Sequence, residues 1–187
     1  MLAKTKKQIP FPNKKYRIIY ADPPWPESAA SGKRFGQAEE HFKTMKEGEI
    51  MSLGSAINKI AHTNSALFLW STARHLPMAI RVMEAWGYRY VNVAFTWMKS
   101  NKNDGRPKMG LGVYTKANAE FCLFGLRGKM KAKAHNVLSA VYEPTIALGW
   151  KPDTVRDRIV RLFGNLSRIE LFARQRTKGW DVWGDEV

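Results

Sequence analysis

The sequence predicts an α/β fold with a mostly parallel central sheet flanked by helices. Short β-rich segments alternate with segments whose apolar residues recur at helical spacing. Because parallel strands need crossover connections, which helices supply, this alternation favours a layered sheet in a single domain. The chain has 187 residues, 44% of them hydrophobic, so it can bury a sizeable core. No internal repeat is evident, and we assign residues 1–15 to a basic N-terminal arm and 16–187 to the domain.

The first half of the chain contains three predicted strands and two predicted helices. A β-rich run at 16–21 stops at a segment with three prolines, which cannot continue a helix or a central strand. Apolar residues between 50 and 60 recur at helical spacing and define one buried face. The apolar run at 65–72 predicts a buried strand, and a helix follows between 76 and 87. The third strand is predicted at 88–98.

The second half begins with a predicted loop, rich in glycine and lysine, at 99–118. A strand at 119–124 follows, and an edge strand is predicted at 137–142. The segment 153–163 has helical periodicity, with apolar side chains on one side and three arginines elsewhere. Those arginines are Arg156, Arg158 and Arg161. A strand at 168–173 is the last strand of the predicted sheet. In such sheets ligands bind beyond the carboxyl ends of the strands, which is where the segment after the first strand lies.

The composition indicates an anionic partner and excludes several classes of protein. The 31 Lys+Arg against 16 Asp+Glu give a net charge of +15, which attracts polyphosphate, with nucleic acid as the leading candidate. Cys122 is the single cysteine and four histidines are present, so we predict neither a disulfide framework nor a metal site. The sequence has no signal peptide and no run of eighteen apolar residues, so we expect no membrane association and a cytoplasmic location.

The densest functional signal is a four-residue motif directly after the first predicted strand. Its residues are Asp22, Pro23, Pro24 and Trp25. An adenine amino group is a poor nucleophile because its lone pair is delocalised into the ring, so a methyl acceptor needs hydrogen-bond acceptors around its protons. Asp22 and the Pro23 carbonyl can supply them, and Trp25 can stack on a base that has left the helix. A proline-stiffened turn with a core tryptophan is the structural alternative.

This motif resembles the signature of the adenine-N6 methyltransferases related to the eukaryotic mRNA adenosine methyltransferase, the seventy-kilodalton MT-A family. The resemblance continues in order from Tyr16 to Gly184. Its further segments are 41–45 (HFKTM), 67–70 (LFLW), 85–88 (AWGY), 97–99 (WMK), 120–123 (EFCL), 151–153 (KPD), 170–174 (ELFAR) and 179–180 (GW). The resemblance implies a Rossmann-like, S-adenosylmethionine-dependent methyltransferase fold with circularly permuted motif order. In that order the catalytic loop comes first and the cofactor site is completed near the C-terminus.

The resemblance also implies a role for each matching position. Asp22 to Trp25 match the catalytic loop. The positions that hold the cofactor S-adenosylmethionine are matched by Lys151, Glu170, Phe172 and Arg174. The border of the acceptor pocket is matched by His41, Phe42, Thr44, Met45 and Tyr114. Ordinary surface charge is the alternative for Lys151 and Arg174, and an ion pair with Arg168 or Arg174 is the alternative for Glu170. Residues 148–150 and 175–176 depart from the family pattern, so cofactor contacts in those loops stay open.

A cluster of basic residues between 99 and 133 is the predicted nucleic-acid backbone surface, with nine basic and two acidic residues. The basic residues are Lys99, Lys102, Arg106, Lys108, Lys116, Arg127, Lys129, Lys131 and Lys133. The segment 127–133 leaves a predicted strand, and we expect it near the site. A solvated charge run without a partner is the alternative. Because no segment resembles a separate sequence-reading domain, we expect short or relaxed sequence specificity and much of the affinity from phosphate contacts.

The predicted function is methyl transfer from S-adenosylmethionine to the N6 amino group of adenine in DNA. We favour DNA because small single-domain members of this family resemble those of bacteria and phages that act on DNA. Two alternatives stay open: an RNA adenosine-N6 methyltransferase and a non-catalytic subunit that presents nucleic acid. Cytosine-C5 transfer is excluded because it needs a nucleophilic cysteine, and Cys122 lies in an apolar strand. The sequence does not decide between a monomer and a homodimer.

Overall fold

A seven-stranded sheet with helices packed on both faces forms the centre of the molecule in a computed structural model. The structure describes residues 9–26, 44–110, 114–147 and 149–187. The elements in chain order are β1 (Tyr16–Ala21), α1 (Glu47–Ser52), α2 (Gly54–Ile60), β2 (Ala61–Thr72), a 3₁₀ turn (Ala73–His75), α3 (Leu76–Ala85), β3 (Arg89–Ser100), β4 (Ala119–Arg127), β5 (Ala140–Pro144), α4 (Asp153–Phe163), β6 (Arg168–Leu171) and β7 (Asp181–Trp183).

The strand order across the sheet is β5-β3-β4-β2-β1-β6-β7. Six of these strands run in one direction, and β4 pairs antiparallel with both β2 and β3. The prediction of a mostly parallel sheet is therefore confirmed, and β5 occupies an edge as expected. The prediction that the strand at 168–173 closes the sheet is wrong, because β7 pairs beyond β6 and forms that edge.

Alternation along the strands separates two hydrophobic cores, one on each face of the sheet. In β1, Ile19 packs with α1 to α3 on one face, while Ile18 and Tyr20 pack with α4 on the other. All three side chains are buried. Both faces of the central strands are thus covered, which explains why these strands read as continuous apolar runs in the sequence.

The direction of β4 decides which loops meet at each end of the sheet. The two ends of the sheet along the strand direction are distinct from its outer strands, β5 and β7. We call the end where the six parallel strands finish the carboxyl edge, and the end where they begin the amino edge. In β4, Glu120 is opposite Thr72 at the end of β2, whereas Arg127 is opposite Ser65 near its beginning. The nine residues of β4 therefore span about 27 Å from the carboxyl edge to the amino edge.

The described part of the N-terminal arm lies against the edge strand β7. The Phe11 ring stacks on Trp183 with a centroid distance of 4.3 Å, and the Ile9 carbonyl accepts a hydrogen bond from Trp183 Nε1 at 2.9 Å. Lys14 donates to Asp181 at 2.7 Å. Residues 9–14 thus cover the end strand of the sheet. Within the described ranges, no helix has the length and hydropathy needed to span a bilayer.

Candidate active site

The Asp-Pro-Pro-Trp loop leaves the centre of the sheet at the carboxyl edge. Ala21, the last residue of β1, pairs with Leu69 of β2 and Leu171 of β6, so Asp22 emerges between two parallel strands. The backbone of the loop is fixed by two hydrogen bonds: Trp25 N–H donates to the Pro23 carbonyl, and Met45 N–H donates to the Pro24 carbonyl, each at 2.9 Å. Met45 therefore lies directly beside the loop, and its role at the border of the acceptor pocket stays a prediction.

Trp25 anchors the loop to the end of β2. Its indole Nε1 donates to the Trp70 carbonyl at 2.9 Å, and its ring stacks on His75 with centroids 5.9 Å apart. His75 Nε2 donates to the Pro26 carbonyl at 3.0 Å, and its Nδ1 bonds the Thr72 hydroxyl at 2.9 Å. The histidine therefore holds both the ring and the backbone of the loop. The sequence motif gave no indication of His75, because it lies 50 residues further along the chain.

A chain of alternating charges surrounds Asp22. Lys151 Nζ contacts Asp22 Oδ2 at 2.6 Å and Glu120 Oε2 at 3.2 Å, and Lys99 bonds the other oxygen of Glu120. The Lys151 side chain is almost fully buried and its ammonium also lies 5.7 Å from the Trp70 ring centroid. Four charged groups, from the loop after β1, from β3, from β4 and from the loop before α4, thus meet at the carboxyl edge.

Burial and pairing act in opposite directions on these groups. Burial raises the pKa of Asp22 above its ordinary value, although the Lys151 charge acts to lower it. Burial alone would lower the pKa of Lys151, but Asp22 and Glu120 together raise it, so Lys151 stays protonated at neutral pH. Burial acts to raise the pKa of Glu120, and the two lysines more than offset it, so that pKa is lowered.

A second ion-pair cluster lies beside the first. Both oxygens of Glu170, in β6, accept hydrogen bonds from Arg156 of α4, at 2.8 and 2.6 Å, and Arg156 also bonds Asp153 at 2.6 Å. Arg156 and Glu170 are both buried. The prediction that Arg156 lies off the buried side of the helix is wrong, because its side chain is buried. The alternative predicted partners of Glu170 were Arg168 and Arg174, whereas the structure pairs Glu170 with Arg156. The signal was the spacing, since 156, 159 and 163 recur at i, i+3 and i+7 on one face.

An open cleft lies between these two clusters. It is lined by Asp22, Gly149, Trp150, Lys151, Arg156, Glu170, Phe172, Arg174 and Gln175. The structure therefore brings the four residues expected to hold the cofactor to the same cleft as Asp22. Gly149, Trp150 and Gln175, whose segments depart from the family pattern, also contribute to its wall.

Two backbone features shape this cleft. Phe172 has φ +58°, the left-handed conformation that side-chain-bearing residues rarely adopt, and its ring packs edge-on against Trp183. Such backbone strain is concentrated at ligand sites. Gly149 has φ +75°, and a Cβ there would come within 2.5 Å of the Arg174 guanidinium. Glycine thus lets this arginine approach the backbone beside Trp150.

The residues predicted to border the acceptor pocket do not all lie in one place in the structure. Thr44 and Met45 precede α1 and are half-buried, whereas Tyr114 is 100% exposed in the loop between β3 and β4. His41 and Phe42 lie outside the described residues. In the part of the chain that the structure describes, no group of three histidine, cysteine or acidic side chains is placed to hold a metal ion.

The predicted basic surface divides between the two edges of the sheet. Lys99 lies near the end of β3 and is bonded to Glu120. The loop that follows β3 at the carboxyl edge carries Lys102, Arg106, Lys108 and Lys116. Arg127 ends β4 at the amino edge, and the segment after it carries Lys129, Lys131 and Lys133. The expectation that segment 127–133 lies near the site is wrong, because β4 runs antiparallel to its neighbours.

A mostly parallel seven-stranded sheet with helices on both faces is a methyltransferase fold. The chain belongs to the MT-A70 family, whose model matches residues 16–186.

Individual relatives differ in how much of their length the chain spans. The chain is 34% identical over 195 residues to the Type II methyltransferase M.MunI of Mycoplasma sp, covering 95% of this chain and 80% of that protein. It is 26% identical over 176 residues to a putative N(6)-adenosine-methyltransferase MT-A70-like of Medicago truncatula, covering 92% of this chain and 26% of the relative. It is 29% identical over 120 residues to the N6-adenosine-methyltransferase non-catalytic subunit MTB of Arabidopsis thaliana, covering 63% of this chain and 15% of the relative. The chain thus spans most of the first relative and about a quarter or less of the plant proteins.

Proposed function

We propose that this protein transfers a methyl group from S-adenosylmethionine to the N6 amino group of adenine in DNA. The observation that carries the proposal is the position of Asp22, which stands in the wall of the cleft and at the start of the Asp-Pro-Pro-Trp loop. A carboxylate at this junction can contact an acceptor base on one side and the cofactor on the other. The adenosine methyltransferase names of the plant relatives support the choice of N6.

The loop offers hydrogen-bond acceptors to an amino group. Asp22 has a carboxylate, and the Pro23 carbonyl, which already accepts from Trp25 N–H, has a second lone pair. Acceptors in these positions orient the N6 protons and return the nitrogen lone pair to a nucleophilic state. The raised pKa of Asp22 also suits it to receive the proton that N6 loses after transfer.

The cleft has chemistry suited to S-adenosylmethionine, which when bound supplies an electrophilic methyl group on a sulfonium. Arg174 can pair with a carboxylate, Glu170 keeps lone pairs for ribose hydroxyls, and Asp22 matches the sulfonium charge. Phe172 and Trp150 supply apolar surface for the cofactor.

The choice of a nucleic acid rests on charge, and the choice of DNA rests on the similarity to M.MunI. The loop between β3 and β4 places four basic side chains at the edge of the sheet where Asp22 lies, and these can bind a phosphate backbone around an extruded base. The chain is 34% identical to M.MunI, a Type II methyltransferase, and 26% identical to the Medicago truncatula relative. The higher identity to M.MunI supports DNA over RNA as the acceptor.

Radiolabelled methyl transfer to double-stranded DNA, single-stranded DNA and RNA tests the proposal. We expect DNA to be labelled at adenine N6, and Asp22→Ala to lose at least about a hundredfold in rate, as expected for an acceptor aimed at the reacting group. Asp157→Ala is the matched control, because Asp157 is an exposed carboxylate on α4 outside the cleft. Labelling by Asp22→Ala at the wild-type rate would contradict the assignment, and labelling of RNA alone would contradict the choice of DNA.

A non-catalytic presenting role is the second candidate, favoured by the similarity to the Arabidopsis thaliana subunit. The intact Asp22 loop argues against it, because a presenter does not need a carboxylate beside the cleft. Calorimetric titration with S-adenosylmethionine separates the two roles. Binding supports the enzyme, and absence of heat at high micromolar cofactor favours the presenter.

A further inference from the structure

Basic side chains collect at the amino edge of the sheet, opposite the proposed active site. We call the exposed members of this set the amino-edge patch: Lys15, Lys59, Arg89, Lys129, Lys131, Lys133 and Arg161. They come from the starts of strands, the ends of α2 and α4, and the segment after β4. Glu84 and Asp181 also lie at this edge, and Asp181 is already bonded to Lys14 and Tyr16. The patch therefore has a strong positive excess.

The segment that carries three of these lysines has a fixed backbone. Lys129 N–H donates to the Asn64 side chain at 2.8 Å, and Lys133 N–H donates to the Leu162 carbonyl at 2.7 Å. Gly128 has φ +62°, and a Cβ there would lie 2.5 Å from the Thr63 carbonyl oxygen, so the turn needs glycine. The lysines are therefore held across the edge of the sheet and do not extend from it as a tail.

The dimensions of the patch suit a polyanion. Arg89 begins β3 and Lys15 immediately precedes β1, and three strand spacings separate these two strands, or about 14 Å. Duplex DNA presents one phosphate charge per about 1.7 Å of axis, so a run of this length carries roughly eight charges. The patch lies about 27 Å from the carboxyl edge, so the duplex segment at the active site does not reach it directly.

A membrane surface fits the patch less well. Stable binding to a membrane usually combines basic groups with apolar side chains that enter the lipid. Among the described residues, the exposed apolar side chains of Met109, Tyr114 and Ile146 belong to loops at the carboxyl edge, whereas Val91 follows Arg89 in β3 and Leu138 precedes β5. The amino-edge patch therefore combines many basic side chains with few apolar anchors, which favours a polyanion over a membrane.

We propose that the amino-edge patch binds the phosphate backbone of a second stretch of nucleic acid, on the opposite end of the molecule from the reacting base. One protein molecule then holds two segments of DNA, or two parts of one long DNA that bends back. This surface is distinct from the cleft and does not depend on methyl transfer.

The salt dependence of DNA binding tests the proposal. We expect Lys129→Ala/Lys131→Ala to make the negative slope of log affinity against log salt shallower by about 1.8 on a duplex of roughly 40 base pairs. Each lost phosphate contact reduces the magnitude of the slope by about 0.9. The fall in affinity between about 50 and about 200 mM salt should then be about twelvefold smaller than for wild type. The control, Arg81→Ala/Arg158→Ala, removes the same charge from the middle of α3 and α4 and should leave the slope unchanged.

Stoichiometry provides an independent readout. At low salt we expect two short duplexes of roughly 12 base pairs per protein molecule for wild type and the control, and one for Lys129→Ala/Lys131→Ala. These measurements use Asp22→Ala as the background, so a failure of the proposed methyl transfer leaves them unaffected. An unchanged slope together with a single bound duplex for wild type would overturn the proposal. The proposal would also be overturned if binding to vesicles that contain phosphatidylserine depended on these lysines and binding to DNA did not.

Discussion

Removing Arg156 should destabilise the fold more than removing any exposed arginine of the same helix. The side chains of Arg156 and Glu170 are 7% and 8% exposed, and two hydrogen bonds join them. Arg156→Met leaves the Glu170 carboxylate buried without its partner, which typically costs about 3–5 kcal/mol. For a chain of this length the midpoint of thermal unfolding should fall by about 6–20 °C.

Urea unfolding followed by tryptophan fluorescence gives the free energy of unfolding for this comparison. Arg161→Met is the control, because Arg161 is exposed one turn further along α4, and we expect it to change stability by about 0.5 kcal/mol or less. A double variant, Arg156→Met/Glu170→Leu, should recover most of the loss, since it removes the uncompensated charge. If Arg156→Met costs less than about 1 kcal/mol, the buried pair does not have the energetic role assigned to it.

The pH dependence of this variant follows from the pKa of Glu170. Burial raises that pKa, and Arg156 acts to lower it, so removing the arginine should raise it further. A carboxyl whose folded pKa lies above its unfolded value destabilises the fold when it is ionised, and this penalty shrinks as the pH falls toward the unfolded value. The deficit of Arg156→Met should therefore decrease between about pH 8 and about pH 5. A deficit that is independent of pH would contradict this account.

Three further predictions concern the site and the arm. Lys151→Met should raise the pKa of Asp22 and move the acid limb of the kcat/KM profile to higher pH, because Lys151 acts to lower that pKa. Gly149→Ala should weaken S-adenosylmethionine binding measured by calorimetry, because the new Cβ is strained at φ +75° and meets a guanidinium. Phe11→Ala should lower the free energy of unfolding by about 1–2 kcal/mol through lost stacking on Trp183, measured in urea.

Each of these has a distinct contrary result. An acid limb unchanged in Lys151→Met would show that another group sets it. Wild-type cofactor affinity in Gly149→Ala would mean that the loop adapts without cost. Unaltered stability in Phe11→Ala would mean that the arm does not contribute to the fold in solution.

The local elements were predictable because their signals are local. The helix expected at 153–163 is α4 with the same bounds, since a proline precedes it and a glycine with φ +82° follows it. The Asp-Pro-Pro-Trp loop was likewise expected after the first strand. In contrast, β7 has only three residues, too few for a periodic pattern to form.

The direction of β4 and the charge clusters were not predictable, because they depend on pairing between distant segments. A strand has the same alternation in either direction, so nothing in 119–127 indicates that Arg127 lies far from Asp22. Lys151 and Asp22 are 129 residues apart in the chain and 2.6 Å apart in the structure. The family resemblance associated both residues with the site, but their contact follows only from the fold.

The burial of Cys122 has a practical consequence for locating nucleic acid on this protein. Its thiol is fully buried in β4 and burial raises its pKa well above the ordinary value, so it should react poorly with maleimides. The wild-type chain is therefore already suited to site-specific labelling. A cysteine introduced at Lys108 or Lys131 would carry a single fluorophore to the carboxyl or the amino edge. The response of each edge to added DNA or RNA could then be measured separately.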